Sequence, residues 1–425
     1  MSEVRPLRAY AEVTLGRQRS PEHDQGPHMV PYLRAANVKD GVLDLSDVKE
    51  MNFTPREQHV FSLRPGDVLM TEGSGSLRSV GASAVWQGEI AGPVCFQNTL
   101  LRLRPRPMTD GRFLAWWCRH AFADGLLASI STGANIFHVS AERVRSLPLM
   151  YVELADQRFI REFLDAETGH LDSLISKRRH QLRLLEERFE SATFSAVTRG
   201  VRSARSLSLR WSGLDWVKQI PENWGTPAVS VSFELQLGKM LNAESAGGAG
   251  QHPYLRNVSV QWDRVALDDL ATMQFDSFDR LRCSLRSGDV LVCEGGEVGR
   301  SAVWAGQRDD CYFQKAIHRV RPRGAANGRF LMYCLRAAAK QEVFIVQGNM
   351  STIPHLTGEQ LRVQRFPWPP GDEQIEIVRH LDKLASQRDQ ALAALTRQIT
   401  LLKERQQALI TAAVTGQLDI PGAAA

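Results

Sequence analysis

Two long segments of the chain repeat apolar residues every seven positions, the pattern of a coiled-coil helix. In the first segment, Leu171 and Leu185 share one heptad position, and Ile175, Leu182 and Phe189 share the other. This segment contains no proline from residue 156 to residue 197. We therefore expect one continuous helix there.

The second segment carries the same pattern near the end of the chain. Leu395, Leu402 and Leu409 share one heptad position, and Leu392 and Ile399 share the other. Matching stripes with a 3.5-residue period favour two helices paired with each other. The alternative is two separate amphipathic helices, each packed on its own domain.

One arginine interrupts each stripe. Arg178 stands where the second helix has Leu395, and Arg388 stands where the first has Leu171. Because a long arginine stem can cover apolar surface, we expect each to lie along a leucine of the partner helix.

Short strands and a further helix are predicted ahead of each long helix. In the first copy, alternating apolar residues predict short strands at 67–70, 84–86 and 99–104, and a helix at 113–128. The corresponding helix of the second copy is expected at 330–343. Each copy is thus predicted to be a mixed α/β globule followed by a long helix, and the fold class is α+β.

The chain is an internal repeat. Residues 31–34, Pro-Tyr-Leu-Arg, return at 253–256, an offset of 222, and residues 111–114, Gly-Arg-Phe-Leu, return at 328–331, an offset of 217. The duplication predicts two similar domains related by a pseudo-two-fold axis. We expect these segments: domain 1 at 1–155, a central helix at 156–203, domain 2 at 204–371, and a C-terminal helix and tail at 372–425.

Composition narrows the class of protein. The 425 residues have room for two or three domains, and no apolar run is long enough to span a membrane. The N-terminus lacks the apolar core of a signal peptide, so a cytoplasmic location is expected. The six cysteines form no C-x-x-C pair and are expected to be buried free thiols. The net charge of +5 only slightly favours a nucleic-acid partner.

No catalytic motif is present. The sequence contains no phosphate-binding P-loop, no G-x-S-x-G and no H-E-x-x-H. Glu72 with His138, and Glu294 with His355, occupy equivalent places and are the only candidates for paired acid–base groups. No cofactor, no metal ligand and no catalytic residue is therefore assigned to this chain.

The remaining polar loop residues suit contact with DNA. Arginine can fork onto guanine, asparagine and glutamine onto adenine, and hydroxyl groups onto phosphates. These residues gather where the two copies diverge, although capping of turns or simple exposure to solvent explains any single one equally well. The candidates are Arg34, Asn37, Glu72, Arg78, Gln97, Asn98, Thr132, Asn135, His138, Arg256, Asn257, Glu294, Arg300, Gln314, Lys315, Asn349, Ser351, Thr352 and His355.

Five segments carry a family resemblance. They are Trp-Val-Lys-Gln-Ile-Pro-Glu-Asn-Trp at 216–224, Pro-Tyr-Leu-Arg-Asn at 253–257, Gly-Asp-Val-Leu at 288–291, Pro-Trp-Pro-Pro at 367–370 before Glu-Gln at 373–374, and Ala-Leu-Ile-Thr-Ala-Ala-Val-Thr-Gly-Gln-Leu-Asp at 408–419. In combination the chain resembles the specificity subunit of type I restriction–modification systems over essentially its whole length.

The resemblance implies two target recognition domains, each reading one half of a bipartite, asymmetric site in double-stranded DNA. It also implies that the long helices are antiparallel and set the spacer between the half-sites. The expected partners are two methyltransferase subunits, which use S-adenosylmethionine, and motor–nuclease restriction subunits, which need ATP and magnesium. The chain itself would bind none of these cofactors.

Other functions remain open at this stage. A methylation-only or related phage-defence assembly would use the same kind of subunit. A scaffold protein would use the globules to bind protein rather than DNA, and it would show no salt-sensitive binding to duplex DNA. An enzyme built on the paired glutamates and histidines would show turnover by the isolated chain.

Overall fold

The computed structural model describes residues 3–201, 208–242, 247, 250–346 and 355–420. The chain forms two compact units, of which the first comprises 1–179 with 396–425 and the second comprises 180–395. Both long helices therefore contribute one half to each unit. The predicted domain boundaries, by contrast, assign each long helix to a segment of its own.

The first unit contains thirteen strands among its described residues. They are β1 Val4–Pro6, β2 Ala11–Leu15, β3 Met29–Leu33, β4 Val38–Lys39, β5 Val42–Leu43, β6 Lys49–Asn52, β7 Val68–Thr71, β8 Gly73–Ser74, β9 Ser83–Val85, β10 Cys95–Phe96, β11 Leu100–Pro105, β12 Phe137–His138 and β13 Pro148–Met150. The helices that begin in this unit are α1 Pro55–Phe61, α2 Gly111–Ala123, α3 Leu126–Ser129, α4 Ala141–Arg145 and the long α5 Leu154–Arg199.

The second unit has eleven strands among its described residues. They are β14 Leu209–Leu214, β15 Val217–Pro221, β16 Phe233–Leu237, β17 Gln251–Leu255, β18 Val260–Gln261, β19 Arg264–Val265, β20 Ala271–Gln274, β21 Val290–Cys293, β22 Ser301–Val303, β23 Tyr312–Phe313 and β24 Ile317–Pro322. The helices that begin here are α6 Val229–Ser232, α7 Ser277–Arg282, α8 Gly328–Lys340, α9 Val343–Val346, α10 Gly358–Val363 and the long α11 Gly371–Val414.

The two units have the same sheet topology. Each has a four-stranded antiparallel sheet, with order β2-β11-β7-β9 in the first and β16-β24-β21-β22 in the second. Each also has a three-stranded sheet, with order β10-β3-β6 and β20-β17-β23 respectively. The register repeats as well, since Leu101 faces Met70 in the first unit and His318 faces Val292 in the second. This confirms the predicted α+β repeat.

The helix predicted at 113–128 is wrong in its extent. Asp110 caps α2 by accepting hydrogen bonds from the backbone of Arg112 and Phe113, and Asn327 caps α8 in the same way. The first helix then ends at Ala123, and Gly125 takes a left-handed φ of 76°, which stops the helix before α3 begins. The second ends at Lys340, ahead of Glu342 with a φ of 57°.

In the first unit, the start of α5 packs against the end of α11. Ile160 and Leu164 share a buried core with Ile410, Ala413 and Val414. The Gln406 Nε2 atom donates a hydrogen bond to Asp172 Oδ1 at 3.0 Å. As residue numbers rise along α5, the neighbours on α11 fall, and the pair is therefore antiparallel.

In the second unit, the end of α5 packs against the start of α11. Phe189, Ala196 and Val197 share a core with Ile377 and Leu381. The direction is again antiparallel. The predicted seam residues are buried or half-buried throughout: Leu171, Ile175 and Phe189 are buried, and Leu182, Leu185, Leu392, Leu395, Ile399, Leu402 and Leu409 are half-buried.

Arg388 lies against the partner helix. Its guanidinium lies over the ring of Phe189, 4.0 Å from the ring centroid, and within 3.9 Å of Glu186. Leu185 of the same helix lines a small cavity together with Phe189 and Arg388. The antiparallel register therefore places an aromatic ring, with a leucine beside it, opposite this arginine.

The six cysteines are all buried free thiols, as predicted. Burial raises the pKa of Cys95 and of Cys293 to about 11, and both thiols are therefore protonated near neutral pH. Within the described part of the chain, no helix is both long and apolar enough to cross a membrane.

Candidate nucleic-acid interface

Each unit places a glutamate and a histidine at the end of a central strand. The backbone N–H of Val139 donates to the carbonyl of Glu72 at 2.8 Å, and that of Leu356 donates to the carbonyl of Glu294 at 2.7 Å. His138 Nδ1 lies 3.0 Å from Glu72 Oε2. The sequence-predicted pair Glu72 and His138 is thus brought together, at a half-exposed edge.

In the second unit, His355 lies against Gly295, as His138 lies against Gly73 in the first unit. A Cβ atom added to Gly73 would lie 3.0 Å from Nδ1 of His138, and one added to Gly295 would lie 3.0 Å from Nδ1 of His355. A larger residue at either glycine would displace the ring. The two exposed imidazoles are therefore held against the backbone by the same local geometry.

A second shared feature positions the predicted Gln97 and Gln314. A Cβ on Gly16 would lie 2.2 Å from the carbonyl oxygen of Gln97, and one on Gly238 would lie 2.4 Å from that of Gln314. Only glycine permits this approach of two backbone segments. On the turn beside this approach, Gln97, Asn98 and Gln314 are half-exposed and Lys315 is exposed.

Sequence reasoning missed the cation beside this turn. Arg17 forms an ion pair with Glu57, with Nε to Oε1 at 2.7 Å, and Lys239 forms one with Asp279 at 2.5 Å. Arg17 lies over Phe53, 4.9 Å from the ring centroid, as Lys239 lies over Phe275 at 5.5 Å. The cation, the carboxylate and the aromatic ring each recur at the offset of 222. A comparison of charged residues between the two copies would have found the ion pairs.

The ion pair fixes the short helix to the strand. Burial acts to raise the pKa of Asp279, but the hydrogen bond from Lys239 and its charge outweigh burial and lower that pKa. In Glu57, burial is likewise outweighed by hydrogen bonds from Thr54 and by the charge of Arg17, so that its pKa is lowered. Both carboxylates are therefore ionised and hold α1 and α7 in place.

Arg34 and Arg256 are equivalent and partly exposed. The Nη2 atom of Arg34 lies 2.5 Å from Asp47 Oδ2, and that of Arg256 lies 3.0 Å from Asp269 Oδ2. In each arginine the Nε atom is buried without a hydrogen-bond partner among the described residues. One edge of each guanidinium is thus held by an aspartate while the side chain keeps access to solvent.

Asn37, Asn257 and Arg300 hold the backbone rather than face outward. The Asn37 side chain is buried, and its amide donates to the carbonyls of Asp44 and Asp47 at 2.9 and 3.1 Å. Asn257 donates to the carbonyl of Gly295, and Arg300 donates to the carbonyl of Asn257, both at 2.9 Å. These positions favour a structural role in the loops.

A surface cavity of about 580 Å³ brings together two predicted residues of the first unit. Its lining includes Arg34 and Gln97, together with two basic residues that sequence reasoning did not select, Arg19 and Lys49. Asp24 and Glu50 also line this cavity, so that its three basic side chains exceed the acidic ones by one charge. The basic side chains suit a phosphate backbone, and the amide suits a base edge.

Thr132 lies beside His138, because their backbones exchange hydrogen bonds at 3.0 and 2.8 Å. Arg78, Thr132 and Asn135 are exposed in the first unit. Asn349, Ser351 and Thr352 lie outside the described residues. Among the described residues, no group of three histidine, cysteine, aspartate or glutamate side chains is placed to hold a metal ion.

Comparison with known proteins places this fold. Residues 233–401 match the family model of the type I restriction modification DNA specificity domain. The chain is 22% identical over 400 residues to the EcoKI specificity subunit of Escherichia coli strain K12, covering 92% of this chain and 82% of the relative. It is 24% identical over 402 residues to the StySPI specificity subunit of Salmonella potsdam, with the same coverages.

Over 92% of its length the chain is similar to specificity subunits of type I restriction–modification systems, and residues 233–401 match their DNA specificity domain. A solved structure described as the basis of complex assembly and conformational transition of a type I R-M system contains a chain of the same fold, with a TM-score of 0.74. That chain is 17% identical, and the match covers 98% of both chains.

The matched DNA specificity domain and the similarity to specificity subunits support recognition of a DNA sequence, rather than catalysis, as the role of this chain. The prediction of a non-catalytic chain is thereby confirmed. Which loop residues contact DNA stays a prediction.

Proposed function

We propose that each unit of this specificity subunit reads one half of a bipartite, asymmetric DNA site. One observation carries the proposal: the two units share topology, register and ion pairs, yet differ at exposed positions. Arg56 and His59 of the first unit correspond to Phe278 and Leu281 of the second, and all four side chains are exposed. A matched scaffold with changed surface residues is what two readers of different sequences require.

The long helices fix the spacer in this proposal. Helix α5 has 46 residues and α11 has 44, so each is roughly 65–70 Å long at about 1.5 Å per residue. Each recognition domain is anchored to the helix that follows it. Trp116 Nε1 donates to Asp165 of α5 at 3.0 Å, and Tyr333 Oη donates to Asp382 of α11 at 2.6 Å.

The outer faces of the helices support docking of two copies of one partner. Gln181, Leu184, Glu187 and Arg188 on α5 recur as Gln398, Leu401, Glu404 and Arg405 on α11, all at the offset of 217 and all exposed. Leu184 is 47% exposed and Leu401 is 54% exposed. Identity at exposed positions is not required by packing, and the duplicated face thus suits two identical methyltransferase subunits.

The cofactors belong to the partners in this proposal. S-adenosylmethionine would bind to the methyltransferase subunits, and ATP and magnesium to the motor–nuclease subunits. The specificity subunit supplies the DNA sequence and the spacing, and its partners supply the chemistry.

Methylation mapping tests the proposal. The full chain is expressed with its methyltransferase subunits in cells that lack other adenine methylation, and methylated adenines are mapped by long-read sequencing. We expect one motif with two different half-sites and a fixed spacer, and no such methylation when this chain is omitted. A single continuous motif, or methylation without the chain, would contradict it.

A further inference from the structure

The second recognition domain exposes large apolar side chains at one end of its three-stranded sheet. Phe278 and Leu281 of helix α7 are 68% and 76% exposed. They stand three positions apart and therefore lie on the same face of the helix. Met240 and Leu241, just after Lys239, are 58% and 44% exposed.

The first domain carries polar and basic side chains at the same positions. At the offset of 222, Arg56 and His59 are the sequence counterparts of Phe278 and Leu281. Gln18 and Arg19 are likewise the counterparts of Met240 and Leu241. These four polar residues of the first domain are all exposed. The alignment of the two surfaces is fixed by the shared contacts of Arg17 and Lys239 described above.

This surface adjoins the turn that is predicted to contact DNA. Asp279 of α7 pairs with Lys239, and the backbone N–H of Lys315 donates to the carbonyl of Lys239 at 2.8 Å. The same helix carries Arg280, which is exposed, and Arg282, which is half-exposed. Apolar side chains with a basic border match the bases and phosphates of a duplex.

The surface around α7 and the equivalent surface around α1 differ, and this difference indicates what binds there. A subunit that docks twice should meet the same surface twice, as the outer faces of the helices illustrate. The surface around α7 differs from that around α1 in charge and in polarity. Its occupant must differ between the two domains, and the two DNA half-sites do differ in the proposed function.

We propose that Phe278 and Leu281 form an apolar wedge that presses into the base stack of the second half-site. This rests on the proposed function and extends it to the mode of recognition. Arg56 and His59 occupy the same place in the first domain and contact phosphates there. Only the second half-site is deformed, and its sequence is selected partly by how easily a base step unstacks, which favours pyrimidine–purine steps.

The test uses the full chain in complex with its methyltransferase subunits and a duplex of the mapped recognition sequence. Adenines of each half-site are replaced one at a time by 2-aminopurine, whose fluorescence rises when the base unstacks. The methylated adenines are left out, because a methyltransferase itself flips its target base. We expect a rise in fluorescence in the second half-site only.

The double substitution Phe278→Ala and Leu281→Ala should abolish this rise and weaken binding about tenfold, as loss of base stacking does. Replacing the pair by the residues of the first domain, Phe278→Arg and Leu281→His, should also abolish the rise but keep salt-dependent binding. As the matched control, Arg56→Ala should leave the fluorescence unchanged and lower the salt slope by about one.

Two results would overturn the wedge. The first is bound wild-type complex with no rise in the second half-site, or with a rise that survives the double substitution. The second is normal DNA binding by the double variant together with failed assembly with the methyltransferase or restriction subunits, which would make the patch a protein-docking site. Failure of the wild-type complex to bind any bipartite sequence would instead contradict the proposed function.

Discussion

His318 is a buried ionisable residue at a position where the repeat has an apolar one. Its ring nitrogen Nε2 lies 2.9 Å from the carbonyl oxygen of Leu356, and its counterpart in the first unit is the buried Leu101. Burial lowers the pKa of His318 below its usual value near 6.5. The hydrogen bond to Leu356 and the charge of Glu294 oppose burial less strongly, and the charge of Arg362 adds to the lowering. The neutral ring donates to the carbonyl.

The pH dependence follows from this shift. Above about pH 6.5 the ring is neutral in both the folded and unfolded chains and does not alter stability with pH. As pH falls below that value, the unfolded chain takes up a proton that the folded chain resists, and stability is lost down to the folded pKa. We expect the second unit to lose thermal stability between pH 7.5 and pH 5.5.

His318→Leu, which restores the residue of the first unit, should reduce this loss. The variant should be less stable at pH 7.5, by about 1–3 kcal/mol, because the carbonyl of Leu356 loses its donor. Calorimetric unfolding of the full chain at both pH values checks this. An equal fall for wild type and variant would show that His318 does not carry the pH dependence.

Single residues of the interface could be predicted only in part. Arg34, Gln97 and the pair Glu72 and His138 are exposed or half-exposed at strand ends, where polar residue type alone suggested a surface role. Asparagine is equally suited to contact DNA, but the side chain of Asn37 donates a hydrogen bond to the backbone of its own loop, at Asp44. Residue type does not distinguish these outcomes, because the loop carbonyls that need a donor become visible only in the fold.

At the scale of elements, neighbouring leucines of each long helix have opposite tasks. Leu185 and Leu402 lie in the half-buried seam, whereas Leu184 and Leu401 face outward. The seven-residue period predicted the seam because it reflects packing of one helix on another. The outward leucines do not occupy the heptad positions that form the seam. They become apparent only when the exposure of equivalent residues in the two copies is compared.

Aspartate substitutions separate the two tasks. Leu185→Asp or Leu402→Asp places a carboxylate in the seam without a partner, and we expect a loss of about 2–4 kcal/mol in the free energy of unfolding. The matched variants Leu184→Asp and Leu401→Asp should change that free energy by less than about 0.5 kcal/mol. Each outward variant should nevertheless lose one methyltransferase subunit from the complex.

Chemical denaturation and native mass spectrometry provide the two readouts. Loss of one subunit per outward variant, and of both in the double variant, would support the duplicated docking face. If the outward variants retained both subunits, the docking face would lie elsewhere. If the seam variants unfolded like the wild type, these leucines would not form an interhelical core.

At the scale of the whole molecule, the duplication predicts that one half can substitute for the other. In the first unit, Ile410, Ala413 and Val414 of α11 complete the core around Ile160 and Leu164. The repeat places Thr193, Ala196 and Val197 of α5 at the same three positions. A second copy of the first half could therefore supply nearly the same side chains.

A half-protein of residues 1–202 should form a homodimer for this reason. Thr193 in place of Ile410 should weaken the dimer, and Thr193→Ile should strengthen it, as measured by sedimentation equilibrium. With methyltransferase subunits bound, the methylated sequence should become an interrupted palindrome of the first half-site. A folded monomer at tens of micromolar, or an asymmetric site, would show that the halves are not interchangeable.

The overall organisation was more predictable than its details. The repeat and the heptads gave two mixed α/β domains and two paired helices, since both patterns follow directly from packing. The division of each long helix between two compact units was not foreseen, because contacts between residues more than two hundred positions apart leave no local pattern.

The central claim is that each domain reads its own half-site independently of the other. The most direct measurement replaces residues 213–371 by the matching domain of a relative with a different specificity, followed by methylation mapping with the original methyltransferase subunits. The account predicts that one half-site changes to that of the relative, while the other half-site and the spacer stay the same. A swap that altered both half-sites together, or that changed the spacer, would contradict it.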